Sequence, residues 1–182
     1  MRYLEITIKL RVKLKGVEEM TFKIYFGGPL FNEMEQMYNA HVVSRLREKY
    51  GDRIEIYLPQ ENAAINDKSG FANSLAIAQG DNAYLEEADL LIAVLDGVTP
   101  DSGLSAELGY YYSKKRPIIG LYTDVRQGTH GNQEKIAALD EIAESQFSYI
   151  NLYTVGLVKL RGEILTSSDE LVEKLEDYLP EV

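Results

Sequence analysis

The sequence predicts a single α/β domain built on a central, mostly parallel sheet. Apolar runs of strand length, residues 90–95 and 117–122, read as strands buried on both faces. Such runs alternate with helical stretches of ten or more residues. That alternation implies βαβ crossovers, helices on both faces, and a ligand crevice beyond the strands' carboxyl ends. A chain of 182 residues is long enough for one full core and short for two.

In order along the chain, Leu4, Ile6, Ile8, Leu10, Val12 and Leu14 alternate with Glu5, Thr7, Lys9, Arg11 and Lys13, the period of a half-buried strand. Residues 15–19 follow, and then Met20 stands directly before a second strand at 22–26. Residues 1–19 therefore read as an N-terminal extension, either an extra edge strand or a translated leader. Codons for Lys15-Gly16-Val17 can also spell a purine-rich ribosome-binding site ahead of Met20. Residues 20–182 read as the domain proper. Its strand at 22–26 runs into Gly27-Gly28-Pro29 and a helix over 32–50. A short strand at 54–58, a polar loop over 59–70 and a helix over 74–88 precede Asp89 and the strand at 90–95. The loop at 96–102 opens a helix over 103–115, followed by the strand at 117–122 and a polar stretch to 131. A helical segment over 133–145, a last strand at 155–160 and an amphipathic helix over 169–178 complete the order. No internal repeat, low-complexity tract or interdomain linker interrupts it.

Composition narrows the chemistry. A formal net charge of −10 and a pI near 4.7 offer no basic field for nucleic acid or an anionic membrane. The cluster Lys114-Lys115-Arg116 closes a predicted helix, where cations complement the dipole. With no cysteine there is no thiolate ligand, disulfide or Cys nucleophile. His41 and His130 have no partner at ligand spacing, so no metal site is expected and a Ser/His triad is disfavoured. No apolar run reaches the ~20 residues of a membrane span, and no signal-peptide core opens the chain, so the expected location is cytoplasmic.

Three segments end at the sheet's carboxyl edge. Gly27-Gly28 follows a strand directly, but neither G-x-G-x-x-G nor a following Lys-Ser/Thr is present. The turn reads instead as one whose glycines let a small ligand approach the backbone. The second segment, 96–110, is the informative one. Asp101 or Ser102 can cap the helix that follows. Glu107 lies between Leu104, Leu108 and Tyr111, on the side that packs toward the sheet, where an unpaired carboxylate is costly. With Asp101 one and a half turns upstream, it frames a pocket. Asp81 reads as opening a helix, either as a functional acid or as a helix-start acid, with Glu86 and Glu87 on the surface. The third segment is the loop after Leu58. Tyr110, Tyr111 and Tyr112 read as exposed aromatics suited to an interface, with some packing on the sheet.

The motif Ile24-Tyr25-Phe26-Gly27-Gly28-Pro29-Leu30-Phe31, the spacing from Asp81 to Asp89, and Asp101-x-Gly-x-x-x-Glu107-x-Gly109 together resemble the nucleoside 2-deoxyribosyltransferases. Asn151-Leu152-Tyr153-x-x-Gly156 resembles a late segment of the same family, so the likeness spans roughly residues 23–156. It implies a flavodoxin-like three-layer sandwich that transfers 2-deoxyribose between nucleobases. By motif match, Glu107 would be the nucleophile on the anomeric carbon, Asp81 would protonate the departing base, and Tyr25 would hold and tune Glu107. Asp101, with Asn151 from a neighbouring subunit, would grip the 5′-hydroxyl. Phe31 would line the base pocket, Gly28 would admit the substrate, and the Gln60 loop would supply base-recognising polar groups. The partners implied are 2-deoxynucleosides, free nucleobases and further copies of the chain, with no metal or organic cofactor. A glycosidic C–N bond that breaks through an oxocarbenium-like state suits a carboxylate beneath the ring and an acid at the leaving group.

Two other readings compete. A hydrolase of 2-deoxynucleoside 5′-monophosphates would place a phosphate near Asp101, where like charges ~4 Å apart repel by ~4 kcal/mol at an intermediate dielectric. A non-catalytic nucleotide-binding module would need Glu107 to be a buried ion-pair partner, and no Arg or Lys lies near it in sequence.

Overall fold

A computed structural model describes residues 21–66, 71–128, 130–145 and 149–180. The extension at residues 1–19 lies outside the described residues. Five strands, β1 (Phe22–Gly27), β2 (Ile54–Tyr57), β3 (Leu90–Val94), β4 (Ile118–Leu121) and β5 (Gly162–Leu165), form one parallel sheet in the order β2-β1-β3-β4-β5. This is the flavodoxin-like order, whose topological switch point lies between β1 and β3.

The two faces of the sheet follow from the period of two along each strand. Ile24 and Phe26 of β1 join Ile92 and Val94 of β3 on one face. There they pack under α1 (Glu33–Tyr50), through Val42, Val43 and Leu46, and α7 (Ser168–Lys174), through Leu171 and Val172. Tyr25, Leu91 and Ala93 point to the other face. That face is covered by α3 (Ser74–Glu87) through Leu85, α4 (Ser102–Tyr112) through Leu104, Leu108 and Tyr111, and α6 (Leu152–Lys159) through Val158. Each fully buried Leu or Val contributes about 1.5–3 kcal/mol over its exposed state, and these two clusters clamp the sheet between helical layers.

Local chemistry fixes the helix starts that border the crevice. Asn32 and Glu35 form a reciprocal capping box at α1, and Glu35 also accepts from the Phe31 amide at 2.7 Å. Asp101 caps α4, its Oδ1 accepting from the Leu104 amide at 2.8 Å. Asn39 is a buried polar residue whose side-chain amide donates to the Pro29 carbonyl at 2.9 Å and to Gln60 Oε1 at 3.2 Å. It ties the loop after β1 to the loop after β2.

Several expectations are corrected. Residues 155–159 belong to helix α6, which Leu160 ends, and not to a strand; Thr154, Leu157 and Val158 bury one face at helical spacing, and the Asn151 side chain caps its start. Over so short an apolar stretch the two periods look alike. The last strand is β5. The segment at 133–145 forms only α5 (Gln133–Ala137) and a 3-10 turn (Ala138–Asp140), with no buried residue to hold a longer helix. The loop after β2 contains a 3-10 turn (Pro59–Glu61) and a short helix, α2 (Ala63–Asn66). Tyr111 is fully buried and its hydroxyl donates to the Ala88 carbonyl at 3.0 Å, while Tyr110 and Tyr112 are half-buried against Glu86 and beneath Arg161. The three tyrosines pack largely within the chain. No helix among the described residues is long and apolar enough to cross a membrane.

The edge strand gives a test of this topology. A Cβ on Gly162 would overlap the Ile118 carbonyl oxygen of β4, a clash that only backbone movement relieves. Gly162→Ala is expected to cost about 2 kcal/mol or more in urea unfolding; parental stability would show that β5 does not pair in this register.

Candidate active site

The crevice at the β1–β3 switch point gathers side chains from four elements. Tyr25 comes from the end of β1 on the α4 side of the sheet, and its hydroxyl donates to Glu107 Oε1 at 2.8 Å. Glu107 sits in the second turn of α4, half-buried, where Leu104, Leu108 and Tyr111 hold the helix against the sheet. Gly27 permits this approach, because a Cβ there would lie 2.8 Å from Leu104 Cδ1 and 3.1 Å from Glu107 Oε2. At Gly28 a Cβ would lie 2.9 Å from Val94 Cβ. Both glycines thus have packing reasons within the chain, beyond any ligand they admit.

Glu107 forms no ion pair among the described residues. Burial pushes its carboxyl up to about 7; the Tyr25 hydrogen bond opposes that rise, and the negative charges of Asp81 and Asp101 add to it. Tyr25 is itself held neutral, first by burial and then by the Glu107 and Asp81 charges.

Asp81 occupies the middle of α3, so it is not a helix-start acid. It is half-buried, and burial raises its pKa while a hydrogen bond from Tyr57 lowers it. The Tyr57 hydroxyl donates to Asp81 Oδ1 at 3.4 Å and accepts from Asn62 Nδ2 at 3.0 Å. Its ring stacks on Tyr84 at 3.5 Å and tilts against Tyr25 at 5.3 Å.

Beside this cluster lies a cleft of about 380 Å³ lined by Pro29, Phe31, Asp96, Thr99, Asp101 and Ser102. Phe31 is 76% exposed at its mouth. Asp96, which burial shifts upward, accepts from the amide and hydroxyl of Thr123 at 2.7 and 2.9 Å. It ties the ends of β3 and β4 together.

Tyr25, Glu107 and Asp81 therefore share one electrostatic neighbourhood, with Asp101 at its edge. Phe31 and Asp101 line the cleft, and Gly28 directly precedes its Pro29. Gln60 is turned to α1, its amide donating to the Gln36 carbonyl at 2.9 Å and its Oε1 accepting from Asn39. Asn151 is exposed, and its Oδ1 accepts from the Tyr153 and Thr154 amides of its own helix at 2.9 and 3.4 Å. Tyr57 and Asn39 escaped sequence reasoning, and Asn62 entered it only as part of the polar loop Pro59-Gln60-Glu61-Asn62. For Tyr57 a signal existed: a polar-tipped aromatic ending an alternating strand at the carboxyl edge. No group of three or more His, Cys, Asp or Glu among the described residues is arranged to hold a metal ion.

Residues 24–139 match the family described as Nucleoside 2-deoxyribosyltransferase. Among solved structures, a conserved protein from Enterococcus faecalis V583 is 49% identical with a TM-score of 0.82, covering 87% of this chain and 99% of that one. A 2-deoxyribosyltransferase from the psychrotolerant bacterium Bacillus psychrosaccharolyticus is 17% identical with a TM-score of 0.52, covering 82% of this chain and 90% of that one; it shows the shared fold. An uncharacterized protein of Ureaplasma parvum serovar 3 is 28% identical, covering 72% of this chain and 89% of the relative.

The burial of Glu107 makes a stability prediction. Its carboxyl titrates near 7 in the fold against an ordinary 4.5, so the unfolded chain loses this proton first as pH rises. Stability is lost between those values, up to about 3 kcal/mol. Glu107→Gln is therefore expected to match the parent near pH 4 and to exceed it by up to about 3 kcal/mol at pH 8 in urea unfolding. Equal stability at pH 8 would show that Glu107 ionises without penalty.

Proposed function

The chain belongs to the nucleoside 2-deoxyribosyltransferase family, and on that premise we propose that it transfers 2-deoxyribose between nucleobases in nucleoside salvage. The observation that carries the reading is Glu107, a half-buried carboxylate at the switch-point crevice with a phenol for its partner and, among the described residues, no cation paired to it.

In this reaction a Glu107 carboxylate oxygen bonds to the anomeric carbon as the C–N bond to the base breaks. The electron pair of that bond passes to the base, which takes a proton from Asp81. The resulting glycosyl ester waits for a second base, whose nitrogen attacks the same carbon, expels the Glu107 carboxylate and returns a proton to Asp81. Two inversions give net retention. Glu107 must be ionised to attack, and a pKa near 7 leaves it both available and basic. Tyr25 keeps the carboxylate aimed, and the developing positive charge on the sugar favours the ionised form. No step needs a metal or organic cofactor. The carboxylates of Asp96 and Asp101 beside the cleft disfavour a 5′-phosphate and so favour free nucleosides over monophosphates.

Incubation with deoxythymidine and adenine is expected to yield deoxyadenosine and thymine. Glu107→Ala, correctly folded, is expected to lose at least about a thousandfold in turnover. Free deoxyribose as the main product would instead mark a hydrolase, and near-parental activity of Glu107→Ala would overturn the nucleophile assignment.

Asn151 is proposed to complete the pocket of a neighbouring copy. Around it Tyr149, Leu152 and Tyr153 are 73%, 73% and 76% exposed, an apolar surface suited to a symmetric interface. Mixing inactive Glu107→Ala and Asn151→Ala chains is expected to restore activity, since a mixed pair holds one intact pocket. Subunit exchange confirmed by mass, with no activity regained, would place Asn151 in its own chain's site or outside any site.

A further inference from the structure

We propose that Tyr57 is a positioning residue for Asp81, and that its hydroxyl determines which carboxylate oxygen of Asp81 carries the proton delivered to the base. The inference rests on the reading of Asp81 as the general acid.

The argument begins at Asn62. Its Oδ1 accepts from the Ala64 amide at 3.1 Å, which fixes the orientation of the side-chain amide. The Nδ2 group therefore faces the Tyr57 hydroxyl, 3.0 Å away, and can only donate. Tyr57 accepts that bond, so its own proton points onward to Asp81 Oδ1 at 3.4 Å. The chain runs one way, from backbone amide to Asn62 to Tyr57 to Asp81, and each bond polarises the next. With Oδ1 occupied as an acceptor, Oδ2 is the oxygen left to hold a transferable proton. Stacking on Tyr84 and contact with Tyr25 fix the ring, so the hydroxyl cannot swing away without breaking aromatic packing. The 3.4 Å separation lies at the long end of the hydrogen-bond range.

The groups facing Asp81 are Tyr57 from β2, Tyr25 from β1 and Glu107 from α4, with Tyr84 one turn further along α3. Of these, Tyr57 donates a hydrogen bond to the Asp81 carboxylate, favouring its ionised form.

The test compares a purine 2′-deoxynucleoside with its N7-methylated counterpart, whose cationic base departs without a proton. Tyr57→Phe keeps the ring and removes the hydroxyl. It is expected to lose about tenfold in kcat on the natural purine nucleoside and to stay within about twofold on the methylated one. The alkaline limb of its pH–rate profile should move upward, because the donor that favoured ionised Asp81 is gone. Tyr57→Phe combined with Asp81→Asn should be no slower than Asp81→Asn alone. Equal losses on both nucleosides, an unmoved limb or additive losses would each overturn the inference. Asn62→Ala, which leaves Tyr57 itself in place, should show the same pattern at smaller amplitude. If Tyr57→Phe does not fold, parental behaviour of Asn62→Ala on the natural nucleoside overturns the proposal. Failure of the underlying reading is distinguishable: Asp81→Asn would then slow both nucleosides equally, and the role of Tyr57 would fall with it. Leaving-group dependence in Asp81→Asn but not in Tyr57→Phe would overturn the role of Tyr57 alone.

Discussion

The hydrogen bond from Tyr25 to Glu107 is the contact on which the site's geometry depends. It joins β1 to the helix that covers it, and it does so inside a layer that is otherwise apolar. A hydrogen bond to a charged group is worth about 1.5–3 kcal/mol. Burial still wins, since the Glu107 carboxyl remains near 7. Had a lysine or arginine stood in place of the phenol, the carboxylate would be fully ionised and poorly basic. A neutral donor holds the group in place without neutralising it. Close approach of α4 to β1 is the condition for this bond, and it falls on Gly27 and the Leu104 side chain beside it.

Carboxylates crowd this edge of the sheet, but their partners divide them into two kinds. Asp101 and Asp96 accept from backbone amides, one capping α4 and the other joining β3 to β4. They act as struts as well as charges. Glu107 and Asp81 are held by phenols, and both are shifted upward by burial. The negative charge of Asp81 adds to the cost of ionising Glu107. In the proposed reaction these are the two groups that must exchange proton and bond.

The parallel sheet and most helices were legible because buried strands and amphipathic helices leave long periodic signals. The placement of Glu107 was legible for a related reason: a carboxylate between Leu104, Leu108 and Tyr111 breaks an apolar face. Legibility failed where segments are short or where side chains satisfy one another across the fold. Residues 155–160 look as much like a strand as a helix until Asn151 is seen capping them. Asp81 looked like a helix-opening acid although Asn73, a favoured capping residue, stands directly before the helix that contains it. Tyr110 to Tyr112 looked exposed because the partners that bury them, Glu86, Ala88 and Arg161, come from distant positions. Tyr57 and Asn39 were invisible for the same reason, since their meaning lies in contacts between loops.

Sheet register connects these observations. Tyr25 and Tyr57 are paired residues on adjacent parallel strands, so both phenols rise from the same face at the same height. Each donates to a carboxylate brought by a different helix, Glu107 by α4 and Asp81 by α3. The separation of the two carboxylates is thus set by the spacing of two strands, the most rigid dimension the fold has. A slip of one residue between β1 and β2 would turn Tyr57 to the opposite face, under α1, and strand Asp81 without its donor. Ile54 and Ile56 oppose such a slip, because they would trade the α1 core for the polar crevice. The apolar packing on one face of the sheet therefore keeps the polar pair on the other face in register.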